Sequence, residues 1–195
     1  VAEHRQVVAH AAQADPALVQ RIMSESGWNV TGEEEGLPVW GNDRVSLASP
    51  RDVTEAHDVF YIAPEGLRAV KYDIKDADGR TVGDVVLELD GDWPTRLLDI
   101  GVNREDRNAG TARSVVGAIL ADVGEIGIWN ITDDAAEWWG KTGVQVGESQ
   151  MGRLTAEQFA VARAGSPNAR GVEGSVNRTL HQGDVARGTF SPDTK

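Results

Sequence analysis

The sequence predicts a mixed α/β (α+β) fold, and three observations carry that prediction. Two alternating apolar runs, residues 67–74 and 81–89, flank "KDADGR", whose Asp-Gly pair is a hairpin signal. A third run, 96–103, sets Leu98, Ile100 and Val102 on one face and ends in a short Arg-and-Gly loop. Beyond it, helical periodicity alternates with short apolar runs, giving the order hairpin, strand, helix, strand, helix, strand.

At the start, Asp15 and Pro16 read as an N-cap and first-turn pair. Leu18, Val19, Ile22 and Met23 then form one apolar helical face, closed by Gly27. Polar and turn residues dominate 28–64, with one short strand expected within 39–47. Within this stretch "GEEEG" at 32–36 reads as a solvated acidic loop. Asp73, Asp76 and Asp78 lack EF-hand spacing and a distal Glu, so the hairpin turn is not expected to bind calcium.

After the third strand, Ala112, Val115, Val116, Ile119, Leu120 and Val123 recur at helical spacing up to Gly124. "EIGIWNI" is a strand. Thr132 then caps a helix with Asp133 and Asp134 in its first turn, where the dipole favours them. "VQVGE" is a further short strand, and Thr155 with Gln158 forms a capping box for a helix ending near Gly165. The residues after 166 are rich in Gly, Ser, Asn and Arg and carry no core pattern. They read as an extended tail that contacts a protein partner or a second copy of the chain. Three segments result: 1–64, a helix and irregular linker; 65–150, the core; 151–195, a helix and tail.

Composition narrows the chemistry. The 195 residues, 40% of them hydrophobic, suffice for a sizeable core. A net charge of -12 with scattered Lys and Arg repels phosphodiester backbones, so nucleic acid is not an expected partner. A cationic amine or a basic protein segment suits this surface. The absence of cysteine excludes disulfides and thiol catalysis. His4, His10, His57 and His181 lie far apart without ligand spacing, so no metal is expected. No apolar run approaches membrane-spanning length, and 1–20 holds no signal-peptide core. The expected locale is the cytoplasm.

The stretch "LLDIGVNREDRNAGTA", 97–112, places a loop between the end of a strand and the start of a helix. Free N–H groups and the positive end of the helix dipole make an anion site there. Gly110 permits close backbone approach to a phosphate, Thr111 and Ala112 keep the first turn open, and Arg107 adds charge. A plain strand-to-helix turn accounts for the same hexapeptide. Gly101, inside the strand, is a further candidate for a bulge.

Two motifs together resemble the GNAT N-acetyltransferase superfamily. Its acetyl-CoA loop reads Arg/Gln-X-X-Gly-X-Gly/Ala, matched by Arg107, Asn108, Ala109, Gly110, Thr111 and Ala112. Its Ala-X-X-aromatic-Tyr-X-Lys-X-Gly-Phe motif is similar to the run Ala135 to Val144. The resemblance spans about 67–146. It implies a mixed, mostly antiparallel sheet, split in a V between two central strands and flanked by helices. It also implies acetyl-CoA as co-substrate, with the pyrophosphate on the N–H groups of Asn108 to Ala112. In that frame the N–H of Val102 polarises the thioester carbonyl, and Asp99 and Glu88 are the candidate bases. Trp139 stands where the family has its general-acid Tyr, and an indole gives no proton to a thiolate. The family's final hairpin is not evident in this stretch either.

Two functions from different classes are therefore expected. One is transfer of an acetyl group to an amine. The other is a non-catalytic structural or interaction role on a degenerate form of the fold, with arms docking in an assembly such as a viral particle. For Trp129, Trp138 and Trp139, core packing competes with lining an acceptor pocket. For Asp99, a satisfied buried polar group facing the helix layer competes with a base.

Overall fold

The computed structural model describes residues 16–55, 61–146 and 150–165. Helix α1 (Pro16–Ser26) is followed by β1 (Asn29–Glu34), β2 (Leu37–Gly41), β3 (Val45–Asp52), β4 (Leu67–Asp76), β5 (Thr81–Asp90) and β6 (Trp93–Val102). A one-turn 3-10 helix, Arg104–Asp106, leads to α2 (Thr111–Val123). Then come β7 (Glu125–Ile128), α3 (Asp133–Thr142), β8 (Gln145–Val146), β9 (Gly152–Thr155) and α4 (Ala156–Gly165).

The strands form one nine-stranded sheet in the order β1-β2-β3-β4-β5-β6-β7-β9-β8. Every pairing is antiparallel except β6 with β7. The fold is thus mixed α/β with a mostly antiparallel sheet. That parallel ladder joins only Arg96 to Gly127 and Leu97 to Ile128, extended by the Trp129 amide donating to the Leu97 carbonyl at 3.0 Å. Beyond Leu97, β6 runs on for five residues without β7 pairing.

Sequence and structure agree best where local signals are strong. The hairpin turn is closed by Asp76, whose Oδ1 accepts from the amides of Asp78 and Arg80, and by Gly79 at φ +80°. The Thr155–Gln158 box forms reciprocally: each side chain accepts from the other residue's amide, at 3.1 and 3.0 Å. Thr132 occupies the N-cap position of α3, with no side-chain cap hydrogen bond among the described residues, and Gly143 closes that helix at φ +101°.

Two stretches differ from the sequence reading. Residues 29–52, expected to be mostly irregular, form three strands of the common sheet. Their alternation is hidden because β1 is exposed throughout and β2 is buried throughout. The acidic "GEEEG" contributes Gly32, Glu33 and Glu34 to the edge strand and Glu35 and Gly36 to its turn. Likewise β9 pairs with both β7 and β8, so a closing antiparallel pair exists ahead of the capped helix. The expected C-terminal tail, the opening Asp15 and all four histidines lie outside the described residues.

The main core packs Val70, Tyr72, Ile74, Val85, Leu87, Leu89, Leu97, Ile100, Ile126 and Ile128 against residues of α2, α3 and α4. Trp28 stacks on Trp40 with ring centroids 5.6 Å apart, and Trp40 meets Tyr72 at 5.3 Å. Strand alternation sends the intervening residues to the opposite face. There a small cluster of Tyr61, Ala69, Val86, Leu98 and Trp129 contains no helix residue.

Candidate functional site

The site builds from the end of β6. The amide of Asn103 donates to the Val82 carbonyl at 2.7 Å, so Asn103 and Val82 form a bonded pair across β5 and β6. Antiparallel alternation then turns the backbone groups of Val102 and Ile100 away from β5. They face the side on which β7 has stopped pairing. The Val102 carbonyl there accepts from Arg107 Nε at 3.4 Å, which folds the Arg107 side chain back along the strand end.

The chain next reverses through two left-handed residues, Asn108 at φ +69° and Gly110 at φ +74°. Asn tolerates this region and Gly adopts it without steric cost. Gly110 is the N-cap of α2, and among the described residues no side chain caps the helix. The first-turn amides of Thr111, Ala112 and Arg113 precede the first intrahelical bond, from Ser114 to Gly110 at 2.9 Å. Ala112 is buried in the core, which anchors the helix start.

The loop is braced from below. Asp106 is buried; its amide donates to the Asn103 carbonyl, and its carboxylate accepts from Arg80 at 2.5 Å and Asn103 Nδ2 at 3.4 Å. Asp106 raises the Arg80 pKa, first by that hydrogen bond and then by its charge. Arg113, in the first turn of α2, has its pKa lowered by burial and secondarily by Arg163. Sequence reasoning missed Arg80 and Asp106, since an ion pair between a hairpin tip and a distant loop leaves no periodic signal.

The expected bulge at Gly101 is displaced. Register passes from Val86↔Asp99 to Leu87↔Leu97, so Leu98 is the extra residue, and Gly101 keeps regular register with Asp84. A Cβ on Gly83, the register partner of Val102, would lie 2.1 Å from the Gly101 carbonyl oxygen, so close approach explains the glycine on that partner strand.

Glu88 and Asp99 both point to the face opposite the main core, because their register partners there are Arg96 and Val86. Glu88 is 2% exposed and accepts from Tyr61 Oη at 2.5 Å and Thr95 Oγ1 at 2.9 Å, with Arg96 Nη1 at 4.0 Å. Burial, then the hydrogen bond to Glu88, raise the Tyr61 pKa. Asp99 is half-buried beside the bulge. Trp129 closes this cluster edge-on to Tyr61 at 5.8 Å.

Trp138 and Trp139 sit in the main core, edge to face at 4.7 Å. Trp139 is 0% exposed and its indole N–H has no hydrogen-bond partner among the described residues. The structure thus gathers Val102, Arg107, Asn108, Ala109, Gly110, Thr111 and Ala112 at one end of β6. It puts Asp99 and Glu88 on the face opposite the main core and Trp139 among packing residues. Among the described residues no group of His, Asp and Glu is arranged to hold a metal. No helix there is long and apolar enough to cross a membrane.

No family model, curated protein or solved structure matches the chain.

Proposed function

We propose that the chain is an acetyl-CoA-dependent N-acetyltransferase acting on an amine, built on a GNAT-like split sheet. One observation carries the reading: an uncapped helix start, entered through left-handed Asn108 and Gly110, lies where β6 has lost its β7 partner. Amides of 108–112 suit a pyrophosphate, and the stretch of β6 beyond its β7 ladder suits an extended pantetheine arm that needs backbone partners. Acetyl-CoA supplies the activated acyl thioester. The Val102 amide donates to its carbonyl oxygen. Asp99, half-exposed, accepts the proton that the attacking amine loses as the C–N bond forms and the C–S bond breaks. Buried Glu88 holds Tyr61 and Thr95 in place behind it. The departing thiolate takes its proton from water, because Trp139 has none to give.

A second reading, a non-catalytic interaction protein on the same fold, is favoured by Trp139 packing fully within the core. A calorimetric titration separates the two. Saturable heat with acetyl-CoA, lost in Gly110→Trp, supports the enzyme; no heat and no thermal shift at millimolar acetyl-CoA overturns it.

A further inference from the structure

Toward the opposite end of β6 from the loop, about 20 Å from Val102 to Arg96 along the strand by its rise per residue, lies a second concavity. It encloses about 580 Å³ and is lined by the start of β6, by β7 and by β9. Its floor is a single register row, Arg96↔Gly127↔Arg153, on the face opposite the main core. Ile126, Ile128 and Leu154 point into that core, so Glu125, Gly127 and Arg153 turn to the other side. Gly127 leaves the floor open: a Cβ there would touch Arg96 Cγ at 3.4 Å.

The rim is apolar and solvent-facing. Trp93 is 53% exposed and Met151 38%, and both line the cavity. The other five tryptophans are buried. Among the described residues the charged lining side chains are Arg96, Arg153 and Glu125, with Glu88 behind Arg96, in a chain of net charge -12. Arg153 Nε donates to Glu125 Oε1, while Arg96 approaches Glu88 only to 4.0 Å. A guanidinium carries five donors in a fixed fork, so Arg96 keeps capacity for another oxyanion.

We propose that this cavity binds a small aromatic monocarboxylate, its carboxylate on the Arg96–Arg153 flanks and its ring against Trp93 and Met151. Indole and thioether surfaces match a planar apolar body. The spare guanidinium donors match a single carboxylate, and the acidic field of the whole chain works against anions of higher charge. The site is separate from the loop at 108–112 and stands whether or not acetyl-CoA binds there.

Phenylacetate, neutral phenylacetamide and cationic phenethylamine test it by calorimetry, with acrylamide quenching of Trp93 as a second readout. Phenylacetate should bind saturably, at least about tenfold tighter than the amide, and the amine should not bind. It should shield Trp93 from acrylamide, an effect lost in Trp93→Phe. Arg96→Gln should weaken binding about tenfold, as should Gly127→Val, each with melting temperature monitored. Equal binding of acid and amide, unchanged quenching, or no saturation below about 10 mM overturns the proposal. Should Arg96→Gln fail to fold, the exposed Arg153→Gln carries the same expectation.

Discussion

Arg80, at the tip of the β4–β5 hairpin, and Asp106, in the turn after β6, are joined by a 2.5 Å hydrogen-bonded ion pair. The carboxylate is enclosed while the guanidinium is largely exposed. This pair fixes where the loop begins. Arg80→Ala should raise hydrogen exchange at the amides of 103–112 and leave those of Ile126 and Leu154 protected. Uniform exchange across both sets would mean that the pair does not brace the loop.

Gly83→Ala should destabilise by about 1–3 kcal/mol, the range for overpacking, because its Cβ has no space beside the Gly101 carbonyl. Gly32→Ala is the control, since its nearest neighbour would be 3.6 Å away, and it should shift stability by less than about 1 kcal/mol. Urea midpoints of the two variants compare them directly.

Gly110→Ala should cost about 1–2 kcal/mol through the left-handed backbone alone. Asn108→Ala should cost a similar amount, and Asn108→Gly clearly less. On the acetyltransferase reading, Gly110→Ala should also reduce acetyl-CoA heat, whereas Gly32→Ala should not.

Both tyrosines of the chain, Tyr61 and Tyr72, are buried, and burial raises the pKa of each above the ordinary value of 10.0. The folded state therefore retains protons that the unfolded state releases, so this stabilisation is complete below pH 10 and falls as pH rises further. Tyrosinate absorbance should appear only with cooperative alkaline unfolding. In Tyr61→Phe the contribution of Tyr61 to that pH dependence should vanish. Tyrosinate formation ahead of unfolding would contradict the burial argument.

What could be read from the chain was local. Asp76 and Gly79, Thr155 with Gln158, and the spaced apolar residues of α2 each carry their instruction within a few positions. The edge strand, exposed throughout, and its buried neighbour β2 present no alternation, so residues 29–52 looked irregular. Four-residue β9 is too short for a periodicity. At the site the hexapeptide loop was legible, and the faces of Glu88 and Asp99 followed only from sheet register. The Leu98 bulge was invisible because the extra residue is an ordinary leucine in an apolar run, while Gly101 suggested the wrong position. Tyr61 on Glu88, 27 residues apart in sequence, is a tertiary fact.

The ladder between β6 and β7 spans two residue pairs, whereas β4 and β5 are matched along almost their full length. Helix α2, whose side chains pack over both β6 and β7, therefore supplies much of the cohesion across that line. Mechanically the sheet has a seam. Strain applied across it is borne by side-chain packing more than by hydrogen bonds, so the first six strands and the last three are the natural halves into which the molecule parts.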